Sequence, residues 1–333
     1  MNSIKVAITG AGGQIGYTLL FCVSSGKAFG PDTKIALRLL EIPQAMKTLE
    51  GTVMELEDCA YPLLESVTIT DDPQEAFEGV NWAVLVGARP RTKGMERRDL
   101  ICANTPIFES QGRILGERAA SDLRVLVVGN PANTNCMIAA YNASAAGVPK
   151  ERFAAMTFLD HNRARAQLAS KAGVPVTEVS HVTIWGNHSN TQYPDAENAK
   201  INDRPAYEVI KDQPWLRNEF ITTVQQRGSV VIATRGSSSA GSAANAIADH
   251  IQNMVNLTPA GNWFSAAVAS DGSYGVDKGL VFSYPLSSDG HGNYFIVQNL
   301  PMSDWAKEKF RLTLEELRAE RAFVADLTTS CNE

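Results

Sequence analysis

Ile4-Lys5-Val6-Ala7-Ile8-Thr9-Gly10-Ala11-Gly12-Gly13-Gln14-Ile15-Gly16 is a short β-branched run that passes directly into a glycine-rich turn. A buried strand, a turn without side chains and a helix start, in that order, build an anion site, because the helix presents unpaired N–H groups to negative charge. The usual dinucleotide fingerprint is G-x-G-x-x-G; here the helix-side glycines fall at 10, 13 and 16, a variant one residue longer. A glycine-rich turn alone would be merely a turn. Its setting argues for more, because the next apolar run, Ile35–Leu40, ends in Glu41, where a carboxylate accepts hydrogen bonds from adenosine ribose hydroxyls. A carboxylate there repels a 2′-phosphate, so NAD is expected over NADP. A solvated loop glutamate is the alternative, and Arg38 within the strand does not offset the charge.

Working outward, the first half alternates short apolar runs with amphipathic stretches. Ile4–Thr9, Ile35–Leu40, Val67–Thr70, Trp82–Val86 and Arg124–Val128 are nearly continuous, as strands buried on both faces should be. Helical patterns fill the gaps at Ile15–Val23, Gln44–Asp58, Pro73–Phe77, Asn104–Ala120 and Asn133–Ala145. This predicts the α/β class, with a Rossmann-type, doubly wound parallel sheet and right-handed crossovers. Later the rhythm loosens, with strands expected at Phe153–Met156, Val179–Trp185, Gly279–Tyr284 and Tyr294–Val297. Helices are expected at Asn162–Ala172, Glu219–Thr234 and Ser239–Leu257. Thr313-x-x-Glu316 reads as a capping box opening a terminal helix, with Leu314, Leu317, Phe323 and Leu327 for its buried side. The boundary falls near Gly147-Val148-Pro149, giving an NAD-binding domain at 1–150 and a C-terminal α+β substrate domain at 151–333.

The length agrees, since 333 residues make about two domains at roughly 150 residues each. With 44% hydrophobic and 20% charged residues, a disordered chain, a coiled coil and a collagen-like repeat are excluded. A net charge of −6 makes no electrostatic case for nucleic acid or an anionic membrane. Cys22, Cys59, Cys102, Cys136 and Cys331 are odd in number, scattered and free of C-x-x-C. They are expected as reduced, mostly buried thiols, not as a disulfide framework or zinc cluster. Thr9, Gln14 and four glycines break the apolar stretch Val6–Val23, which argues against a signal peptide. No apolar run nears the ~18 residues of a membrane span, and a cytoplasmic location is the expectation.

Two further regions carry polar chemistry. Arg89-Pro90-Arg91-Thr92-Lys93-Gly94-Met95-Glu96-Arg97-Arg98 follows the strand Trp82–Val86 and holds five cations. Charge runs are usually solvated faces. This one stands at the carboxyl end of a sheet strand, where open α/β sheets bind ligands, and its Gly and Pro suit a closing lid with anion-binding arginines. Leu159-Asp160-His161-Asn162-Arg163 and Trp185-Gly186-Asn187-His188-Ser189 come next. At a helix start Asp160 and Arg163 share a face, and His188 ends an apolar strand. A lone histidine is more often structural, but beside a carboxylate and an arginine it makes a proton-transfer set. His161 is the rival; adjacent helical residues diverge by about 100°, which points it away from Asp160 and Arg163. His181, His250 and His291 lack such neighbours, and no His, Cys or Asp spacing reads as a metal site.

With these segments in view, the chain resembles the lactate/malate dehydrogenase family, in its cytoplasmic, NAD-dependent malate branch. The resemblance is carried by G-A-G-G-Q-I-G (10–16), L-L-E-I-P (39–43), M-E-L-E-D-C-A (54–60) and P-R-T-K-G-M-E-R-R-D-L (90–100). It continues with V-V-G-N-P-A-N-T-N (127–135), L-D-H-N-R-A (159–164), W-G-N-H-S (185–189) and S-S-A-G-S-A-A-N-A (238–246). Glu41 departs from the aspartate frequent in relatives and keeps the carboxylate. The resemblance implies reversible hydride transfer between (S)-malate/oxaloacetate and NAD, the malate step of the tricarboxylic acid cycle, in a homodimer. It implies His188 as general acid/base oriented by Asp160, with Arg163 on the C1 carboxylate and Arg97 on the reacting carbonyl from the lid. Arg91 would hold the distal carboxylate, and Asn130 the substrate beside the nicotinamide. Gly10, Ala11, Gly12, Gly13, Gln14, Ile15, Gly16, Glu41, Asn104, Gln111, Val128, Gly129 and Asn130 would hold NAD. Ser239 is a further substrate candidate, its register within Ser237–Ser239 left open.

The nearest rival is a lactate dehydrogenase-like enzyme. Arg91 argues against it, since a methyl-bearing 2-oxo acid would leave that cation unpaired. Tyr207-Glu208-Val209-Ile210-Lys211 matches the Y-x-x-x-K of short-chain dehydrogenases, but it lies far along the chain, precedes Pro214, and the glycine loop has the wrong spacing. A non-catalytic NAD-sensing protein would keep Gly10–Gly16 and Glu41 without needing Asp160, Arg163 and His188 together. Arg89, two residues from Arg91, shares its claim on a distal carboxylate.

Overall fold

The computed structural model describes residues 2–92 and 94–330. Its two compact units do not follow a single cut in the chain. One holds Met1–Ala155, Ala240–Gln252 and Glu320–Glu333, and the other Met156–Ser239 and Asn253–Ala319.

In the first unit strands and helices alternate: β1 (Asn2–Thr9), α1 (Gln14–Ser24), β2 (Thr33–Leu40), α2 (Met46–Asp58), β3 (Leu64–Thr70), α3 (Pro73–Ala76), β4 (Trp82–Leu85), α4 (Arg97–Arg118), β5 (Arg124–Val127), α5 (Ala132–Ser144) and β6 (Phe153–Ala155). The strands are all parallel, in the order β6-β5-β4-β1-β2-β3, which is the doubly wound sheet expected from the alternation. β4 and β5 are buried along their whole length, so their sequences are nearly unbroken apolar runs. The order reverses between β1 and β4, where Thr9 pairs with Leu85. The loops leaving those strands therefore start side by side, at the kind of reversal where a ligand crevice opens.

Two expectations need correcting here. α4 begins at Arg97 and not near Asn104, because Glu96 and Asp99 each accept a hydrogen bond from the other's backbone and cap it. Arg97 and Arg98 are therefore helical. The cysteines are also less buried than expected: Cys59 follows the end of α2 and Cys102 rides the outer side of α4, and both are exposed. Cys22 is half-buried, and burial pushes the Cys136 thiol up; Cys331 lies outside the described residues.

The second unit contains α6 (Phe158–Ala172), β7 (Val179–Ser180), β8 (Thr183–Trp185), β9 (Tyr193–Asp195), β10 (Lys200–Ile201), β11 (Arg204–Pro205), α7 (Ala206–Ile210), α8 (Gln213–Arg217) and α9 (Glu219–Arg235). After α10 (Gly241–Val255) follow β12 (Phe264–Ala269), β13 (Val281–Ser288), β14 (Tyr294–Ile296) and α11 (Asp304–Ser330). Most of α10 groups with the first unit, where Lys27 pairs with its Asp249 at 3.4 Å. β12, β13 and β14 are antiparallel neighbours, as are β8 and β9, and β7, β10 and β11.

The expected strand Val179–Trp185 is two strands. His181 has φ +61°, and this turn sends β7 and β8 into different sheets. β12 was not expected at all; its sequence is mostly Ala and Ser, and burial on both faces decides its structure in place of propensity. α11 starts at Asp304, so Thr313 and Glu316 sit inside the helix and cap nothing. Leu314 and Leu317 are buried and Phe323 half-buried, while the Leu327 side chain lies outside the described residues. The end of β8 is pinned by aromatic rings: Trp185 meets Tyr274 at 4.8 Å and Phe310 at 5.5 Å, both edge-to-face. Among the described residues no helix is long and apolar enough to cross a membrane.

Candidate active site

The glycine turn of the first unit is folded tightly on itself. Gly13 N–H donates to the Gly10 carbonyl at 3.1 Å, and a Cβ on Gly16 would lie 2.4 Å from that same oxygen. Gly10, at φ +65°, leaves room for the chain after β4, since a Cβ there would come within 2.7 Å of Gly87 Cα. The N-cap of α1 is Gly13, which supplies no side-chain acceptor. The Gln14, Ile15 and Gly16 amides thus lack both intrahelical and side-chain partners. A pyrophosphate fits this cradle. Glu41 stands at its rim, accepting from Gly12 N–H at 3.0 Å and from Ile42 N–H at 2.9 Å. It is held against the turn and is not a loose surface glutamate.

Asn104 is fully buried and its carboxamide is taken up by main chain. Arg89 N–H donates to Oδ1 at 2.8 Å, while Nδ2 donates to the carbonyls of Leu100 at 3.0 Å, Arg89 at 3.2 Å and Asn130 at 3.3 Å. Asn104 thus braces the segments after β4 and β5. Gln111 and Val128 are buried, and Asn130 is exposed at the end of the β5 segment.

The cationic stretch splits in two. Arg89 and Arg91 are exposed, and Arg91 Nε donates to the Met95 carbonyl at 2.9 Å, closing the loop on itself. Lys93 lies outside the described residues. Arg97, the first residue of α4, pairs instead with Glu320 of α11, Nε to Oε1 at 2.5 Å. The Thr134 hydroxyl donates to the same carboxylate, and Arg98 lies over the Phe323 ring at 5.3 Å. Glu320 is 6% exposed, and the Arg97 guanidinium supplies the opposite charge that a buried carboxylate needs.

In the second unit Asp160, on the first turn of α6, is fully buried between three donors. Its Oδ2 bonds His188 Nδ1, Oδ1 accepts from Arg163 Nη1 at 3.0 Å, and the Gln192 amide bonds it as well. Burial pushes the carboxyl up, yet His188, Arg163 and Gln192 outweigh that and hold it below the usual carboxylate range. Asp160 is therefore an ionised, oriented acceptor. His161 points elsewhere: its Nδ1 meets Ser265 Oγ at 3.0 Å and burial pushes it down to about 3, so it stays neutral. Ser239 stands in the loop between α9 and α10.

What delivers His188 to Asp160 is the backbone after β8. Gly186 is bridged to Ser283 in both directions, at 3.1 and 2.9 Å. Its φ is +93°, and a Cβ would lie 2.1 Å from the Thr313 side chain. The structure thus brings Asp160, Arg163 and His188 together, as their spacing suggested. Gln192 and Glu320, by contrast, carry no sequence signal; each is an isolated polar residue that only the tertiary fold returns to a charged partner. Chemically, one unit offers a dinucleotide cradle and the other an imidazole held by Nδ1 beside an anion-binding guanidinium.

Comparison with known proteins agrees. Residues 4–154 match the lactate/malate dehydrogenase NAD binding domain, and residues 157–327 the lactate/malate dehydrogenase alpha/beta C-terminal domain. The chain is 57% identical over 326 residues to a malate dehydrogenase of Magnetococcus marinus, covering 98% of each. The crystal structure of malate dehydrogenase from Naegleria fowleri superposes with a TM-score of 0.94 at 43% identity, over 98% of this chain and 99% of that one. A Trichomonas vaginalis lactate dehydrogenase in complex with NADH and oxamate gives 0.93 at 35% identity, over 98% and 99%. Both domains are matched in order over nearly the full length, and the chain belongs to the lactate/malate dehydrogenase family.

Proposed function

We propose that the chain catalyses the NAD-dependent interconversion of (S)-malate and oxaloacetate. The observation that carries this reading is the buried Asp160 carboxylate shared between His188 and Arg163, in a chain so similar to a malate dehydrogenase. NAD, when bound, supplies the hydride acceptor and NADH the donor. The Gln14–Gly16 amides hold its pyrophosphate and Glu41 its ribose.

The chain's own residues handle the proton and the charges. His188 takes the malate hydroxyl proton at Nε2, because Nδ1 is committed to Asp160; in the reverse direction the imidazolium returns it. Asp160 stabilises that imidazolium. Arg163 grips the C1 carboxylate as a fork, Arg91 takes the distal carboxylate, and Asn130 orients the substrate. Arg97 polarises the reacting carbonyl on exchanging Glu320 for substrate. The fold does not choose between malate and lactate, since a lactate dehydrogenase superposes equally well. Arg91 favours the diacid, because its guanidinium would pair with a second carboxylate and not with a methyl group. A cytoplasmic homodimer, which the resemblance implies, completes the proposal.

NADH oxidation by oxaloacetate, measured beside His188→Ala, tests the reading. The variant should lose ~10²–10⁴-fold in kcat and keep NADH affinity. A mild His188→Ala with a crippled His161→Ala would reverse the assignment.

A further inference from the structure

The Thr313-x-x-Glu316 motif caps no helix, yet both side chains are fully engaged in the second unit. Three residues apart on α11, they share a face, and that face meets the loop carrying His188. Thr313 is fully buried and accepts from Asn187 N–H at 2.8 Å. A mid-helix threonine usually bonds back to its own helix; this one is aimed at the loop. Glu316 Oε2 gathers three loop donors: Asn187 Nδ2 at 3.0 Å, Thr191 Oγ1 at 2.5 Å and the Ser189 hydroxyl. Thr191 Oγ1 also reaches Thr313 Oγ1 at 3.1 Å. His188 is thus flanked on both sides by residues anchored to one turn of α11, and Gly186 permits the approach.

We propose that Glu316 and Thr313 are positioning residues for His188: the carboxylate and hydroxyl clamp Asn187, Ser189 and Thr191 so that the imidazole is delivered onto Asp160. The inference rests on His188 being the general acid/base. A charged acceptor shared by three donors fixes the loop more tightly than three separate neutral bonds, because charge-assisted bonds are about twice as strong. Releasing it lets the imidazole drift, and a displacement of about 1 Å in a catalytic group costs up to ~10²-fold.

The test is Glu316→Ala, Glu316→Gln and the double variant Glu316→Ala/Asp160→Asn, read by kcat and KM for oxaloacetate and by NADH affinity. Glu316→Ala should lower kcat by ~10–10²-fold with NADH affinity unchanged, and Glu316→Gln, which keeps an acceptor oxygen but not the charge, should recover part of it. In the Asp160→Asn background Glu316→Ala should cost little, because the link through which it acts is already gone. A merely structural role would instead give the same fold-loss in both backgrounds, which overturns the proposal, as does an unchanged kcat in Glu316→Ala. Should Glu316→Ala not fold, Ser189→Ala/Thr191→Val removes the contacts from the loop side and is read the same way. His188→Ala, run alongside, separates the two levels. If it is harmless the proposed function fails; if it is crippling while the Glu316 series is silent, only the clamp fails.

Discussion

Asp160→Asn removes a charge while keeping shape, and the consequence follows from the three donors around it. The native carboxylate accepts from His188, Arg163 and Gln192 in a fully buried position. A carboxamide has one acceptor oxygen and an NH2, so the oxygen serves at most the donors on its own side, and the NH2 confronts the rest. Arg163 also loses the negative charge 3.0 Å from its Nη1. Breaking a buried pair on one side costs about 3–5 kcal/mol, so the variant should be less stable by up to that amount. The catalytic loss is separate: without the carboxylate the imidazolium is unsupported and the Asn NH2 favours the wrong ring tautomer. Oriented general acid/base work contributes ~10²–10⁴-fold, and kcat should fall by that factor in both directions. NADH binding should not change, because the glycine turn and Glu41 belong to the other unit. Stopped-flow turnover, NADH fluorescence titration and urea unfolding on one preparation separate the three quantities. A kcat within about tenfold of the parent, below that range, would refute the assignment of Asp160 as the orienting charge.

Arg91→Gln should abolish most of the preference for oxaloacetate over pyruvate, whereas Arg89→Gln should leave it; paired kcat/KM values decide, and the opposite result would shift the lid register. Glu41→Gln removes a charged acceptor worth roughly 1.5–3 kcal/mol, so the NADH/NADPH affinity ratio should fall by about tenfold or more, and an unaltered ratio would count against Glu41 as the ribose residue. Gly16→Ala forces a Cβ to 2.4 Å from the Gly10 carbonyl and should weaken NADH binding sharply in isothermal titration. Burial pushes His161 and His250 down to about 3 from 6.5, so the unfolded chain takes up protons below pH 6.5 while the fold does not. Their stabilisation is full above pH 6.5 and is lost as pH falls toward 3, by up to about 1.4 kcal/mol per pH unit each. His250→Gln should therefore flatten the fall of the denaturation midpoint between pH 6.5 and about 4, and an unchanged slope would contradict this.

The first unit is legible because its strands are buried on both faces, so continuous apolar runs such as Trp82–Leu85 mark them directly. The glycine turn is legible for a related reason, since close backbone approach admits no other residue at Gly10 or Gly16. Asp160 and Arg163 can be paired from helical spacing alone. The rest depends on tertiary returns that local pattern does not encode. Thr313 and Glu316 imitate a capping box in sequence, but what they bind is the loop around His188. Arg97 reads as a lid cation, and nothing local announces its pairing with a carboxylate more than two hundred residues later, Glu320. Phe264–Ala269 escapes notice because alanine and serine make strands only when packing demands it.

The most direct measurement is NADH absorbance after adding oxaloacetate or pyruvate to the purified chain, each over a concentration series that yields kcat/KM. The proposed pairing of Arg163 with the C1 carboxylate and of Arg91 with the distal one predicts rapid oxidation with oxaloacetate and a kcat/KM about 10³–10⁵ times that for pyruvate. Equal or greater efficiency with pyruvate would contradict the malate assignment, and NADH binding without oxidation by either acid would make the chain a nucleotide sensor.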